Sequence, residues 1–350
     1  CNYLGLYEKD EDSRFLDLAL KLVEQVHSVL GRHRPDDQRR GWISGLGEEE
    51  GRLHPTAGGL RIGKSLNERK EDEPPDEEAE WEQDGQYYHY LTKWMHALAR
   101  VGRVTGDAKY AVLAGELAKR AHSAFAYTVP STGERRLRWK MSIDLSRPLV
   151  ASMGQHDALD GFLTYLEVQS TVVEMAKGLE APDLRPEIQD IAGICRRTHM
   201  LTDDPLGIGG LLSDSSRACQ LIAKGAYANP QLVEKVLEAA SSGIGYFNES
   251  GTLGLPAEHR LAFRELGLAI GIQGVLQLPN IVSRERVKFA NARKIDSLLA
   301  SMKRHSHLAD EIQRFWMDEH HREAPIWQEH KDINTVMLAT CLRPDSFLSI

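Results

Sequence analysis

Several stretches of this chain concentrate side chains that could bind and transform a small polar molecule. The first is Trp81-Glu82-Gln83-Asp84-Gly85-Gln86-Tyr87-Tyr88-His89-Tyr90-Leu91-Thr92-Lys93-Trp94. Aromatic rings can cover the C–H face of a sugar, while carboxylates and amides bond its hydroxyls in pairs. Trp81, Gln86, Tyr87 and His89 are therefore candidate substrate contacts, and Asp84 a candidate catalytic acid. Asp84 also stands where a helix N-cap would, its carboxylate accepting from the open N–H groups of a first turn. Tyr88, Leu91 and Trp94 read equally well as core.

The second stretch is Trp139-Lys140-Met141-Ser142-Ile143-Asp144-Leu145-Ser146-Arg147-Pro148, running on to Gln155-His156-Asp157-Ala158-Leu159-Asp160. Asp144, His156 and Asp157 are candidate catalytic groups, and Lys140, Arg147 and Gln155 candidate contacts. The plainer readings are an ion pair between Asp144 and Arg147, a cap at Asp157, and a favourable first-turn charge at Asp160. The third is Glu258-His259-Arg260-Leu261-Ala262-Phe263-Arg264-Glu265. Arg260 and Arg264 are spaced to share a helix face and could grip a carboxylate through paired N–H groups. They could as well bridge to neighbouring glutamates. The fourth opens the last long helix with Trp327, His330, Asp332 and Asn334. His330 could act as acid or base, because imidazole titrates near neutral pH.

Two further patterns carry less. The segment Gly58-Gly59-Leu60-Arg61-Ile62-Gly63-Lys64-Ser65 fits G-x-x-x-x-G-K-[ST]. A phosphate loop needs a strand before it and a helix after it, and here glutamate-rich loops flank it. It reads as a loop at a cavity mouth, with His54 and Arg61 as contacts. His320, His321 and Glu323 suggest a metal, but H-E-x-x-H is absent. Neither metal nor cofactor is expected.

The elements that must position these groups are helical almost throughout. Apolar residues recur at helical spacing over 13–30, 84–121, 157–178, 185–200, 207–223, 230–241, 257–278, 283–303, 309–319 and 332–342. Residues 137–141 read as a short strand or extended loop. A long irregular stretch, about 31–83, is rich in Gly, Pro and acids. The clusters fall at or just before the starts of alternate helices, at 84, 157, 258 and 332. Helical hairpins with this phase describe an all-α toroid with one polar end, a single domain over 1–350. The opening segment reads as a helix end. The chain is thus expected to be a fragment, with helix 13–30 as the outer half of a first hairpin whose inner half is missing.

The chain has 350 residues and a formal charge of −8, which argues against a nucleic-acid surface. Four scattered cysteines (Cys1, Cys195, Cys219, Cys341) suggest reduced thiols in a cytoplasm. No uninterrupted apolar run approaches the ~18 residues of a membrane span.

Taken together, Asp84 through Trp94, the Thr105-Gly106-Asp107 turn and the loop 152–161 resemble the six-hairpin glycosidase-like superfamily. That resemblance implies an (α/α)6 barrel. It also implies the company of glycoside hydrolases, unsaturated glucuronyl hydrolases and the N-acylglucosamine 2-epimerase group. The expectation is a glycoside hydrolase acting on an oligosaccharide or uronide through two carboxyls, drawn from Asp84, Asp144 and Asp157. The alternatives are a sugar epimerase using two of His54, His89, His156, His259 and His330, or a carbohydrate-binding protein without catalysis.

Overall fold

The computed structural model describes residues 1–350 apart from Pro75, Ala151, Met153 and Leu179, and the side chains of Glu77 and Glu78. Pro75 of the acidic run and Met153 of the loop 152–161 thus lie outside the described residues. The chain is all-α: 64% is helix and 4% strand. Its contacts group into two compact units, Asp12–Thr198 and a second made of Cys1–Glu11 with His199–Ile350.

Helix α1, Asn2–Asp10, belongs to the second unit. The first unit then opens with α2, Ser13–Leu30, capped by Asp12. Two short helices, α3 (Glu48–Leu53) and α4 (Glu77–Glu82), interrupt the irregular stretch. Strand β1 (Gln86–Tyr87) runs into α5, Tyr88–Thr105. Gly106 takes the left-handed conformation and Asp107 caps α6, Ala108–Phe125, so the Thr-Gly-Asp turn makes the hairpin its residue types predict. Strands β2 (Ala126–Thr128) and β3 (Arg135–Leu137) pair with each other, and β4 (Lys140–Met141) pairs antiparallel with β1. Helices α7 (Asp157–Met175) and α8 (Arg185–Cys195) form the next hairpin.

Helices α5 and α7 lie side by side and run the same way. Thr92 bonds Asp160, His96 bonds Glu167 at 2.9 Å, and Arg103 bonds Thr171 at 2.8 Å. Positions advance together along both helices, which only a parallel pair allows. Their N-termini therefore meet at one end of the unit.

The second unit repeats the scheme with α9 (Pro205–Ala223) and α10 (Gln231–Glu249), and α11 (Ala262–Val275). It continues through α12 (Leu278–Arg284), α13 (Ala292–Lys303), α14 (Ser306–Met317), α15 (Pro325–Glu329), α16 (Lys331–Leu342) and α17 (Asp345–Leu348). Helices α9 and α11 meet through glycine. A Cβ on Gly209 would stand 2.2 Å from the Gly267 carbonyl oxygen, and one on Gly271 would stand 2.4 Å from that of Gly209. Gly274 faces Ser216, so these helices are also parallel. Gln273 bonds the Cys341 carbonyl at 3.1 Å and Gly267 faces Met337, which aligns α16 with α11.

Several boundaries differ from the sequence reading. Helix 230–241 continues to Glu249, because Gly243 packs against Ile208 and the Thr202 carbonyl instead of ending the helix. Helix 257–278 begins only at Ala262, after a single 3-10 turn. Pro279 opens α12 in a first-turn position that proline tolerates, so 283–303 divides into the end of α12, a 3-10 turn and α13. Residues 262–284 are long and apolar enough to cross a membrane by composition, and 61% of the 18-residue apolar window within them is buried in the protein. Its packing against α9, α14 and α16 accounts for that apolarity.

Candidate active site

In the first unit, the β1–β4 ladder pairs Gln86 with Met141 and Tyr87 with Lys140. The Tyr88 N–H also donates to the Trp139 carbonyl at 3.0 Å. These bonds carry Trp139 to the start of α5. Its ring lies 5.1 Å from Tyr87 and 5.1 Å from Trp81, stacked on the latter at 30°. Tyr90 adds a ring 5.3 Å from Tyr87, and His89 one 4.5 Å from Tyr90. Trp81 and Tyr90 are 56% and 42% exposed, so the aromatic platform opens to solvent. The Trp139 indole donates to Ser152 at 2.8 Å and ties the platform to the loop before α7.

The first turn of α7 brings two carboxylates to the same end. Asp160 accepts from the Thr92 hydroxyl and from Lys93 Nζ at 2.7 Å. Asp157 Oδ2 is buried and has no hydrogen-bond donor among the described residues. Burial, reinforced by the charge of Asp160 and opposed by that of Lys93, raises the Asp157 carboxyl to about 7. Half of it is thus protonated near neutral pH, the condition a general acid needs. Burial, helped by Lys93, lowers His89 to about 4, so its imidazole is neutral there. Asp157 and His89 each feel the charges of Asp160 and Lys93, and the four form one neighbourhood. It offers a proton donor, an ion-paired carboxylate, a neutral imidazole and a stacking surface.

The other residues singled out from the first unit are held by protein partners. Asp84 is fully buried and does not cap α5, whose N-cap is Tyr87. Its oxygens accept from Arg61 at 2.8 Å, Arg34 at 3.4 Å, Gly63 N at 2.8 Å and Gly85 N at 2.9 Å. A short extended segment after Asp84 separates it from the helix, so the carboxylate turns to the loop cations instead. The 58–65 segment is accordingly a loop cinched by Arg61. Gln86 accepts from Leu60 N at 2.8 Å and donates to the Gly58 and Ile143 carbonyls. Buried Lys140 donates to the Glu80 carboxylate at 2.8 Å and to its carbonyl. Tyr87 donates to the Glu80 carbonyl at 3.4 Å, Arg147 donates to the Arg69 carbonyl, and His54 bonds Glu116 at 2.7 Å. Burial alone would raise the Asp144 carboxyl, but hydrogen bonds from Ser146 and Ser142, with the Arg39 charge, hold it at about 2. It is a permanent anion, bonded to Arg39 at 3.1 Å and not to Arg147. His156 takes the N-cap position of α7, and Gln155 is exposed.

The clusters at 258 and 332 lie in the second unit. Arg260 is buried and pairs with Glu265 at 2.6 Å, the expected bridge to a neighbouring glutamate, but it lies in the extended turn before α11 and so shares no helix face with Arg264. Trp316 donates to the same carboxylate at 2.8 Å and stacks on Trp327, 5.4 Å away. His330 abuts Phe263 at 5.5 Å and takes the N-cap of α16. Buried Asn334 donates to the Trp327 carbonyl at 3.1 Å. His259 and Asp332 are exposed.

No protein family, curated protein or solved structure matches this chain.

The candidate site residues read from the sequence leave out Trp139, Lys93, Tyr90 and Asp160, for the last of which a favourable first-turn charge is the plainer alternative. A signal existed. His89 and Lys93 are four apart, and Asp157 and Asp160 three apart, so each pair shares a helix face. What spacing could not show was that the two faces meet.

Proposed function

We propose that this chain is a carbohydrate-active enzyme, a glycoside hydrolase in which Asp157 protonates the departing glycosidic oxygen. The observation that carries the reading is a carboxyl with a buried oxygen, held near pKa 7 at the start of α7, whose leading loop is bonded to an aromatic platform of exposed Trp81 and Tyr90 and half-buried Trp139. A protonated carboxyl donates its proton as the glycosidic bond breaks, and a second carboxylate offsets the positive charge that grows on the ring. Asp160, ion-paired with Lys93, is the candidate for that second role. Sugar rings would stack on Trp81 and Trp139.

The (α/α)6 architecture belongs to the same proposal. It is supported by the parallel run of α5 with α7 and of α9 with α11, with α16 aligned along α11, and by the hairpin partners of α5, α7 and α9. That pattern is what an inner ring with polar loops at one end would produce.

The test is turnover of a panel of oligosaccharides and uronides by the wild type, Asp157→Asn, Asp160→Asn and Trp139→Ala. Released reducing sugar that falls at least about 100-fold in Asp157→Asn supports the reading. Interconversion of free monosaccharides that survives Asp157→Asn and fails in His89→Ala would replace it with epimerisation.

A further inference from the structure

The second unit holds a cleft of about 340 Å³ lined by Tyr246, Thr252, His259, Arg264, Asp203 and Asp204. That is the small end of the range for small-molecule sites, roughly 300–1,000 Å³. Tyr246 is 53% exposed and presents an unshielded phenol ring. Asp203 is exposed, and Asp204 is committed, with one oxygen accepting from Gly207 N at 2.9 Å and the other from Arg264 Nη1 at 2.7 Å. Arg264 Nε is buried and out of a ligand's reach, so the donor left to the cleft is Nη2 of this 41% exposed side chain. The Thr252 hydroxyl bonds Ser250 at 2.7 Å.

Charge decides what such a cleft accepts. Glu265 also lines it and is neutralised by Arg260. Asp203, Asp204 and Glu265 make three carboxylates against two guanidinium groups, a net charge of −1. An anionic ligand placed against Arg264 would face this surplus, and like charges in a cleft repel. A neutral ring with vicinal hydroxyls avoids that cost. One hydroxyl accepts from the open Arg264 edge, another donates to Asp203, and the C–H face covers Tyr246.

We propose that this cleft binds a neutral monosaccharide ring, as a site separate from the Asp157 neighbourhood and selective against sugar acids. The proposal rests on reading the chain as carbohydrate-active, but not on Asp157 being catalytic.

The experiment is a ligand-observed NMR titration of the full chain with glucose, galactose, mannose and N-acetylglucosamine, and with glucuronate as the acidic control. The expected result is saturable binding of at least one neutral sugar, weakened about tenfold or more by Tyr246→Ala and by Asp203→Ala. Tyr246→Phe, which keeps the ring, retains binding and controls for folding. In a Trp139→Ala background, which removes the stacking ring of the other unit, the part of the binding that Tyr246→Ala abolishes is still seen. Wild-type protein that binds none of the neutral sugars, binding indifferent to Tyr246 and Asp203, or glucuronate bound more tightly than glucose each overturns the proposal. If Asp157→Asn turns over as well as wild type while the Tyr246-dependent binding persists, the hydrolase reading fails and this site stands.

Discussion

Asp157 and Asp160 lie three residues apart in the first turn of α7, yet they differ in donors: Thr92 and Lys93 bond Asp160, while Asp157 Oδ2 is buried without one among the described residues. Two carboxyls in one turn therefore have different settings. The charge on Asp160 helps keep the proton on Asp157, the kind of asymmetry that assigns acid and base roles in a carboxylate pair.

That asymmetry sets the pH dependence of turnover. With Asp157 acting as acid and titrating at about 7, kcat/KM should fall tenfold per pH unit above about 7. A Lys93→Met variant removes the cation that opposes the raised value, so its alkaline limb should move to higher pH. A limb that stays put in Lys93→Met would remove Asp157 from the acid role.

Stability should carry the same signature. The Asp157 carboxyl titrates at about 7 when folded and near 3.9 when unfolded. The folded state holds the proton more tightly, so this contribution is complete below about pH 4 and is lost as pH rises through 7. Asp157→Asn cannot ionise. Its stability relative to wild type should be about 1–3 kcal/mol more favourable at pH 8 than at pH 5, measured by urea unfolding at both values.

His27 should produce a limb of the opposite sense. The Trp94 indole N–H donates to His27 Nε2 at 3.1 Å, which requires a bare nitrogen. Burial lowers this imidazole to about 4, below the unfolded value near 6.5. The unfolded state gains the proton first, so stability is lost as pH falls from about 6.5 through 4. His27→Leu should flatten acid unfolding by about 1–2 kcal/mol across that window. Parallel pH curves for the two proteins would contradict this.

Asp84 should behave as a strut. Asp84→Ala leaves the Arg61 guanidinium and the Gly63 and Gly85 N–H groups without their acceptor, a loss of about 3–5 kcal/mol for a broken buried pair. Thermal unfolding would register it directly. An Asp84→Asn protein of wild-type stability but with no turnover would instead give Asp84 a chemical role.

The α9–α11 contact predicts a contrast between adjacent glycines. Gly209→Ala forces a Cβ against the Gly267 carbonyl and should cost about 1–3 kcal/mol. Gly210 has nothing within 4 Å of a new Cβ, so Gly210→Ala should stabilise by about 0.5–1 kcal/mol through helix propensity. Chemical denaturation of the two single variants tests both.

Much of the helical layout is a local property and was legible in the residues. Asp12, Asp107 and Asp204 cap the helices they precede, and helix 13–30 agrees with its periodicity at both ends. Capping and apolar spacing act within a few residues of chain, so sequence carries them. The stretch 31–83 shows no such period, because its order comes from distant partners: Arg61 reaches Asp84, Arg39 reaches Asp144, and Lys140 reaches Glu80. Residue type marked Asp84, Asp144 and Asp157 alike as carboxylates that could do chemistry. Only tertiary packing separated them: burial without donors raises the Asp157 carboxyl, donors and a cation lower that of Asp144, and Asp84 is tied into a buried ion pair. Asp144 received serines and an arginine, and Asp84 two arginines and two backbone N–H groups. Asp157 received a buried place beside another carboxylate, and no run of sequence around it states that.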